Sequence, residues 1–356
     1  MRNITVIGAG MIGSVIAKKL LQDGFNVKVV EPNMAIITSF KKHDNLTLVN
    51  DFGDNYINNI SDNSLYGEII VLAVPGFTGY KHLKLLSTKG AHVVDISFSP
   101  EDMSDIKFEN SACVYDCGLA PGLPNMILGL HMQKHDVESF EYVVGGMTIT
   151  PIAPFYYKAP FSVVDVVEEY TRPARFIEDG LEKEISPFDD IITWKTGFDA
   201  FPTDGLRSLL KLPVDNIKER TIRHTGHMQF MKNLFDAGFF ETSIKSQTEE
   251  LLKKKWKFEG DEDDFVVFET ITTTKSGEKI TYKLYDEKQN GVTAMARTTG
   301  YTTCAVVNML HESYNDYKGI MAPEEMINEK NMNYILSYLY NNYIFFDVEE
   351  LKLEQI

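Results

Sequence analysis

The first third of the chain alternates short apolar runs with segments of helical spacing. Residues 4–7 are an apolar run, and apolar residues at 15, 16, 17, 20 and 21 predict a helix that ends at Gly24. A second β-branched run stops on Glu31, and four further strand patterns follow: residues 46–49, 68–76, 90–97 and 111–118. Six strands with helical linkers predict an α/β fold built on a Rossmann-type, doubly wound parallel sheet.

The pattern changes in the middle of the chain. Residues 174–185 predict a hairpin around Asp179-Gly180, and residues 265–285 predict a second hairpin around Ser276-Gly277. Residues 227–237 predict an amphipathic helix that Gly238 ends. Other stretches have strand-like or β-branched and aromatic composition: residues 140–146, 148–150, 161–170 and 221–224. Because the parallel rhythm is absent, we expect an α+β domain with a mixed sheet here.

The C-terminal segment predicts a return to the first domain. Residues 294–310 are rich in small side chains and predict a helix that packs against the parallel sheet. The aromatic tail, residues 331–356, predicts a peripheral helix and strand that cover a dimer face or pack within the chain. We expect a nucleotide-binding domain at residues 1–120, completed by about 295–356, and a substrate and dimerisation domain at residues 121–294.

The candidate chemistry begins at an unbroken G-x-G-x-x-G between the first strand and helix. Gly8 allows a sharp turn, Gly10 lets a pyrophosphate approach the backbone, and Gly13 lets the helix pack closely. Met11 and Ile12 lie at the helix N-terminus, where free N–H groups bind phosphates. The strand, helix and glycines occur in the order that dinucleotide binding requires.

Acids and strand ends extend this candidate site. Glu31 ends the second strand, where a carboxylate accepts hydrogen bonds from the adenosine ribose and repels a 2′-phosphate, so NAD is favoured over NADP. Asp51 follows the third strand and is either an adenine contact or a loop acid. The fourth and fifth strands end at the cofactor crevice, where we expect contacts from Ala73, Val74, Pro75, Asp95 and Ser97.

Composition narrows the class of protein. The 356 residues suggest two domains, and the net charge of −16 argues against a nucleic-acid partner. A strand begins at residue 4, which leaves no room for a signal peptide, and no stretch approaches the length of a membrane span. Three cysteines fit a reducing compartment, so we expect a cytoplasmic protein. Cys113 and Cys117 lack a second ligand pair, so no metal is expected.

Several motifs then occur together and in order. Residues 116–125 read D-C-G-L-A-P-G-L-P-N and resemble the D-A-G-x-A-P-G-L-x-N turn of the lysine 6-dehydrogenase branch of the saccharopine dehydrogenase family. Similar correspondences are E-Y-T-R-P-A at 169–174, D-A-F-P-T-D-G-L at 199–206, T-I-R-H-T-G-H at 221–227 and M-A-R-T-T-G at 295–300. The resemblance covers residues 1 to about 325.

The resemblance implies an NAD-dependent oxidative deamination of an amino acid, with the ε-carbon of lysine as the reacting carbon and ammonia as a product. It also implies a discontinuous nucleotide domain, an inserted substrate domain and a homodimer. Saccharopine reductases tend to carry G-L-D-P-G in the turn where this chain has Ala120, which weakens saccharopine as the substrate. Cys117 replaces the alanine of the lysine branch and leaves the identity of the substrate open.

Hydride transfer from an amine carbon requires a group that handles protons and groups that position the substrate. Asp116 and His224 are the catalytic candidates, although Asp116 would also cap the following turn and His224 would also serve as a core histidine. Arg223 would hold the substrate carboxylate or form a structural ion pair. Gly118 and Lys158 complete the expected substrate contacts.

Three functions remain open from the sequence. The first is an amino-acid dehydrogenase that releases ammonia, acting on a small molecule. The second is a dehydrogenase or reductase for a secondary amine, such as saccharopine or a carboxylated polyamine, which releases an amino acid instead. The third is an NAD-binding sensor without turnover. The retained substrate domain and Arg223 argue against the third.

Overall fold

The structure is a computed structural model that describes residues 3–159, 162–258 and 262–351. The chain divides into two compact units, one formed by Met1–Leu130 and Ala296–Asn342, the other by His131–Met295 and Tyr343–Ile356. The first unit thus extends about ten residues beyond the expected boundary at residue 120, because the helix after the glycine-rich turn belongs mostly to it. The end of the tail belongs to the second unit, not to the nucleotide-binding domain.

The described residues form sixteen strands and eleven α-helices. The strands are β1 (Asn3–Ile7), β2 (Asn26–Val30), β3 (Leu46–Val49), β4 (Ile69–Leu72), β5 (His92–Asp95), β6 (Ala112–Val114), β7 (Val137–Thr148), β8 (Ala174–Glu178), β9 (Leu181–Ile185), β10 (Ile192–Lys195), β11 (Phe198–Pro202), β12 (Asn216–His224), β13 (Asp264–Thr274), β14 (Lys279–Glu287), β15 (Gly319–Met321) and β16 (Phe346–Leu351). The helices are α1 (Met11–Gln22), α2 (Met34–Ser39), α3 (Gly53–Asn58), α4 (Gly76–Leu86), α5 (Leu123–Lys134), α6 (Val163–Thr171), α7 (His227–Asp236), α8 (Lys245–Lys255), α9 (Ala294–Glu312), α10 (Pro323–Met326) and α11 (Glu329–Asn341).

In the first unit, seven strands of the described chain form a parallel sheet in the order β15-β6-β5-β4-β1-β2-β3. The chain reverses its direction of winding between β1 and β4, where α/β sheets of this kind bind ligands. The predicted doubly wound parallel sheet is therefore confirmed. The sequence did not predict β15, because three half-buried residues are too short to give a periodic signal.

One predicted linker differs from the structure. Helices α2, α3 and α4 connect the strands from β2 to β5, but residues 96–111 between β5 and β6 contain no helix. Met103, Ile106 and Phe108 of this linker are buried in the core beside β4 and β5. Side-chain burial rather than helix formation therefore fixes its path.

Helix α9 packs against the first helix and the turn after β6. Its Gly300 approaches Ile16 and Val15 of α1, and the Thr303 hydroxyl donates to the carbonyl of Cys117 at 3.0 Å. The small residues of this helix allow this close packing, and α9 returns to the first unit as the sequence predicted.

In the second unit, the described strands form a mixed sheet with the main order β10-β11-β12-β7-β13-β14-β16. Strand β12 pairs parallel with β7, whereas β11, β13, β14 and β16 join antiparallel. Both predicted hairpins are present, as β8–β9 and β13–β14. Asp179 and Gly180 have φ of 54° and 73°, the conformation that a two-residue hairpin turn requires.

The β-branched stretch at residues 161–170 does not form a strand. Residue 161 lies outside the described residues, and Val163–Thr171 is helix α6. Val166, Val167 and Tyr170 are buried, and this spacing of three and four residues is helical. Periodicity, rather than β-propensity, was the informative signal here.

The tail follows the predicted helix-then-strand order, with α11 in the first unit and β16 in the second. Strand β16 pairs with β14 at one edge of the mixed sheet. Among the described residues, no helix is long and apolar enough to span a bilayer.

Candidate functional site

Two glycines shape the turn between β1 and α1. Gly8 has φ of +88°, and a Cβ on it would lie 2.3 Å from the carbonyl oxygen of Ala73. A Cβ on Gly13 would lie 2.2 Å from the carbonyl oxygen of Gly8. Neither position has room for a side chain, so Gly8 permits the turn and Gly13 permits the close approach of α1.

The middle glycine faces open space. Apart from Gly10 itself and its two chain neighbours, no heavy atom of the described residues lies within 4 Å of the position that a Cβ on Gly10 would take. Gly10 is the N-cap of the 12-residue helix α1, and no side chain caps it. The first N–H groups, on Met11 and Ile12, have no partner inside the helix, and the Met11 side chain is half exposed. The open space at Gly10 and the N–H groups at the start of α1 together suit a pyrophosphate.

Glu31 is fixed directly after β2. Its Oε2 accepts a hydrogen bond from the Ala9 N–H at 2.8 Å, and its Oε1 accepts one from the Asn33 N–H at 2.9 Å. The side chain is buried, and each carboxylate oxygen keeps a second lone pair for a ribose hydroxyl. A fixed negative charge here favours the ribose diol of NAD and repels the 2′-phosphate of NADP.

Asp51 has a local structural role. Its Oδ1 accepts from the Phe52 N–H at 2.8 Å and from the Asn55 side-chain amide at 3.3 Å, so it orders the start of α3. These bonds favour the loop-acid interpretation, and an adenine contact stays a prediction.

The residues after β4 form the next part of the strand edge. The Ala73 N–H donates to the Ile7 carbonyl at 2.8 Å, which ties this segment to β1. The Val74 side chain packs on the core, and Pro75 is the N-cap of α4. The three residues therefore present backbone rather than polar side chains at this edge, which leaves the expected cofactor contacts to their backbone atoms.

Asp95 and Ser97 are buried after β5. The Ser97 N–H donates to Asp95 Oδ1 at 3.0 Å, and a Cβ on Gly79 of α4 would lie 2.0 Å from Ser97 Oγ. Ser99 donates to the Gly76 carbonyl at 3.0 Å. These contacts hold the segment against α4, so packing explains both polar residues and a cofactor contact stays a prediction.

The turn after β6 is closed by its own hydrogen bonds. The Gly118 N–H donates to the Pro121 carbonyl at 3.1 Å, and the Gly122 N–H donates to the Asn125 side chain at 3.0 Å. A Cβ on Gly118 would lie 3.1 Å from the Thr299 side chain of α9. The structure uses these two N–H groups internally, and the substrate contact expected from Gly118 stays a prediction.

Asp116 stands at the start of that turn. It is 2% exposed and has φ of 53°, so its backbone already has the left-handed conformation of the turn. The neighbouring Cys117 thiol is fully buried, and burial together with the charges of Asp95 and Asp116 raises its pKa. Cys117 is therefore a neutral, inert thiol at neutral pH.

In the second unit, Arg223 is the centre of a buried polar cluster. Its Nη2 donates to Glu169 Oε2 at 2.5 Å, its Nε to the Tyr170 hydroxyl at 3.2 Å, and its guanidinium lies 4.5 Å from the centre of the Tyr157 ring. Burial is the largest single influence and lowers the Arg223 pKa, but Glu169, Tyr157 and Tyr170 together outweigh it, so the pKa is raised. The arginine is therefore permanently charged. It forms the structural ion pair that the sequence analysis gave as one of its two alternatives.

His227 completes this set, which we call the Arg223 cluster: Tyr157, Glu169, Tyr170, Arg223 and His227. The His227 Nε2 lies 2.8 Å from the Tyr170 hydroxyl, and its Nδ1 lies 2.7 Å from the Phe155 carbonyl oxygen. Burial, with the nearby Arg223 charge, lowers the pKa of His227 to about 3. The imidazole is neutral at physiological pH and bridges a hydroxyl and a carbonyl.

His224 does not join Arg223. Successive residues of a strand point to opposite faces, and His224 packs between Phe198 and Phe265 while its Nε2 lies 2.8 Å from the Thr148 carbonyl oxygen. Burial lowers the pKa of His224. The sheet therefore places the Arg223 and His224 side chains on opposite faces, and His227 lies beside Arg223. A catalytic role for His224 stays a prediction.

Lys158 is held by an ion pair. Its Nζ lies 2.7 Å from Glu262 Oε1 and donates to the Lys257 carbonyl at 3.1 Å. Its side chain is 21% exposed. The structure therefore gives Lys158 local partners, and a substrate contact stays a prediction.

The sequence analysis missed the polar partners of Arg223. Glu169 and Tyr170 are on α6, more than fifty residues before Arg223. The only signal was the resembled E-Y-x-x-P-A motif, which contains both residues but does not name their partner. Within the described ranges, no group of three or more His, Cys, Asp or Glu side chains is placed to hold a metal ion.

The first unit fits a dinucleotide. The open space at Gly10, the absence of room for a side chain at Gly8 and Gly13, and the fixed Glu31 carboxylate are the features that such a cofactor requires. Gly8, Gly10, Gly13, Glu31 and Ala73 meet at the carboxyl edge of the parallel sheet. When bound, a nicotinamide cofactor supplies a hydride acceptor or donor.

Comparison with known proteins gives two family matches. Residues 118–344 match the family described as saccharopine dehydrogenase C-terminal domain, and residues 3–99 match the family described as NADP oxidoreductase, coenzyme F420-dependent. The first match spans more than half of the chain and confirms the family that the motifs predicted.

Comparison with solved structures gives two further matches. One is apo, histidine-tagged saccharopine dehydrogenase (L-Glu forming) from Saccharomyces cerevisiae, with a TM-score of 0.76 and 16% identity over 99% of this chain and 100% of that chain. The other is a meso-dapdh mutant with DAP from Clostridium tetani, with a TM-score of 0.46 and 13% identity over 96% and 99% of the two chains. The first likeness shows a common fold over the whole chain. The chain therefore belongs to the saccharopine dehydrogenase C-terminal domain family and is an NAD(P)-dependent oxidoreductase of the saccharopine dehydrogenase type.

Proposed function

We propose that this protein is an NAD-dependent dehydrogenase that oxidises the CH–NH2 carbon of an amino acid, with the ε-carbon of L-lysine as the reacting carbon and ammonia as a product. The observation that carries the proposal is the turn from Asp116 to Gly122, at the carboxyl edge of the nucleotide-binding sheet. Ala120 stands in this turn where saccharopine reductases tend to carry an acid. The missing acid favours a primary amine over the larger secondary amine.

Three residues are assigned the proton transfer and the positioning of the substrate. Asp116 is buried at the end of β6, where a carboxylate is suited to hold or move a proton at the substrate nitrogen. Arg223 uses three of its five N–H donors, to Glu169, Tyr170 and the Ile222 carbonyl, and keeps two for a substrate carboxylate. His227 stays neutral and fixes the Tyr170 hydroxyl that meets Arg223.

A second candidate function is oxidation or reduction at a secondary amine such as saccharopine. It is supported by the fold shared with saccharopine dehydrogenase (L-Glu forming) over 99% of this chain. The two functions differ in the released product, because a secondary amine gives an amino acid and a primary amine gives ammonia. A sensor without turnover would bind NAD and produce neither.

The test is NADH formation with NAD and a panel of amines, with ammonia and amino acids assayed in parallel. Lysine-dependent NADH with an equal amount of ammonia is the expected result. NADH with saccharopine and no ammonia would replace it with the second function, and NAD binding without NADH would remove both. Asp116→Asn should abolish turnover without loss of NAD binding, whereas the control Asp105→Asn, at an exposed acid paired with Lys84, should behave as wild type.

We also propose a homodimer, as the family resemblance implies. Strand β16 is an edge strand of the mixed sheet, and its Val348 and Leu351 are 45% and 44% exposed. Exposed apolar residues on an edge strand favour association with another chain. Light scattering during gel filtration tests this, and a monomer at micromolar concentration would contradict it.

A further inference from the structure

Large apolar side chains are exposed at one edge of the parallel sheet in the first unit. Four of them follow the ends of the four adjacent strands β4, β1, β2 and β3, each within five residues of the strand end. They are Met11, Met34, Phe52 and Phe77, which are 49%, 54%, 61% and 77% exposed. Because parallel strands end at the same edge of a sheet, the four residues lie along the edge that carries the glycine loop. Exposed apolar side chains that are grouped in this way indicate a binding surface.

Phe52 lies directly before α3, close to the end of β1. A Cβ on the next residue, Gly53, would lie 2.7 Å from Ile7 Cγ2 and 2.7 Å from the His82 Nε2 of α4. The start of α3 therefore packs against both the carboxyl end of β1 and the helix α4. Phe52 is thus held at the place where these three elements meet.

Phe77 lies in the first turn of α4, on the side of that helix that faces α3. It precedes Lys81 by four residues, so the two side chains share one face of the helix. The Lys81 Nζ lies 2.6 Å from Asp54 Oδ2, which places that face against the start of α3. Phe77 is one helical turn closer to the carboxyl edge of the sheet than this ion pair. Phe52 and Phe77 therefore stand at the opening between α3 and α4, one on each side.

This opening is beside the carboxylate that suits the adenosine ribose. Asn50, two residues before Phe52, donates from its side-chain amide to the carbonyls of Glu31 and Pro32 at 3.1 and 2.8 Å. The segment that carries Phe52 is thereby tied to Glu31. A pyrophosphate at Gly10 and a ribose at Glu31 leave the adenine ring to extend beyond Glu31, toward the opening.

The polar side chains of the same segment have local partners. Asp51 Oδ1 accepts from the Phe52 N–H and from the Asn55 amide, and Asp54 pairs with Lys81. The two phenyl rings, by contrast, offer flat apolar surfaces to the solvent. Stacking on such rings binds a planar base through its faces and requires no hydrogen bond to the edge of the base.

We propose that Phe52 and Phe77 hold the adenine ring of the nicotinamide cofactor between their side chains. Stacking covers both faces of the base and removes two exposed phenyl rings from water. The proposal rests on the dinucleotide site of the first unit and not on the identity of the substrate. It assigns to these two residues a share of the affinity for the adenosine half of the cofactor.

The test compares two ligands on the full chain: ADP-ribose, which contains the adenine ring, and reduced nicotinamide mononucleotide, which lacks it. Calorimetry measures the binding of the first, and ligand fluorescence measures the binding of the second. Phe52→Leu and Phe77→Leu keep an apolar side chain but remove the ring, and each should weaken ADP-ribose binding by about tenfold. Neither should change the binding of reduced nicotinamide mononucleotide. Phe77→Tyr, which keeps a ring, should bind ADP-ribose as wild type does.

Tyr66→Leu is the matched control, because Tyr66 is an aromatic residue of the first unit that is 59% exposed and lies before β4, at the opposite edge of the sheet. It should bind both ligands as wild type does. ADP-ribose affinity of the two leucine variants equal to that of wild type, or an equal loss of affinity for both ligands, would overturn the proposal. Absence of ADP-ribose binding by wild type would overturn the dinucleotide site together with the proposal.

Discussion

The glycine loop at residues 8–13 and the Arg223 cluster both depend on close packing, but they are built in different ways: the loop is exposed at Gly10 and Met11, whereas Arg223 is buried. The loop is one continuous segment whose shape depends on the absence of side chains at Gly8 and Gly13. The Arg223 cluster gathers charged and aromatic side chains from α6, β12, α7 and the segment before α6. Sterics determine the first, whereas charge pairing in a low-dielectric interior determines the second.

This difference predicts how substitutions destabilise each region. Adding one methyl group at Gly8 or Gly13 creates a clash with the backbone, which has nowhere to move. Removing one charge from the cluster leaves its partner buried without compensation, which costs more than the pair itself contributes. The effects of substitutions in the two regions therefore differ in magnitude and in the property that changes.

The largest effect is expected in the Arg223 cluster. Arg223→Met leaves the Glu169 carboxylate buried without its cation, and we expect the free energy of unfolding to fall by about 3–5 kcal/mol. Urea denaturation measures this change. The double variant Glu169→Met with Arg223→Met removes both charges and should recover most of the loss. If the double variant is as unstable as the sum of the single variants, the pair is not energetically coupled.

The glycine loop gives the next largest effect. Gly8→Ala combines positive φ with a contact of 2.3 Å to the Ala73 carbonyl oxygen, so we expect a loss of about 2–3 kcal/mol together with loss of NAD binding. Gly10→Ala is the matched control, because its Cβ meets no described atom within 4 Å. It should keep its stability within about 0.5 kcal/mol and lose about tenfold in NAD affinity. Equal destabilisation of the two variants would contradict this account.

A third test concerns another buried acid of the second unit, Glu219. Burial raises its pKa to about 8, against the opposing hydrogen bonds from the Thr203 hydroxyl and the Gly205 N–H. Between about pH 4.5 and 8 the folded state keeps a proton that the unfolded state releases, so this group's stabilising contribution falls as pH rises. Glu219→Gln should reduce the fall in the free energy of unfolding between these pH values by about 1–2 kcal/mol. Urea denaturation at several pH values measures it, and Glu250→Gln, at an exposed glutamate, should keep the wild-type slope.

The smallest effect is expected at Lys158. Its ion pair with Glu262 is near the surface, so Lys158→Met should lower the free energy of unfolding by less than about 1 kcal/mol. The same variant tests the predicted substrate contact, because loss of a substrate-binding cation would also raise KM. A KM equal to that of wild type would remove Lys158 from the substrate site.

The predictions that came from local patterns are the ones that the structure confirms. The parallel sheet, both hairpins and the return of α9 to the first unit follow from apolar periodicity, turn residues and small side chains that lie close together in the sequence. Where propensity and periodicity disagreed, at α6, the β-branched composition was misleading because tertiary burial selected the helical face. Strand β15 was too short to carry a pattern.

The site predictions divide in the same way. Gly8, Gly13 and Glu31 have contacts that follow from their places in one β-α-β unit. Arg223 and His224 stay site predictions, but they do not share one cluster, because neighbouring residues of a strand point to opposite faces of the sheet. The strand signal for β12 was present, and the alternation it implies would have separated the two residues.

The sequence by itself determined the nucleotide-binding unit, because its requirements are local: a strand, three glycines, a helix and an acid at set spacings. Only the tertiary structure decided the partners of Arg223 and the internal closure of the turn after β6. Each of these depends on which distant side chains burial brings within hydrogen-bond distance, and no local pattern encodes that distance.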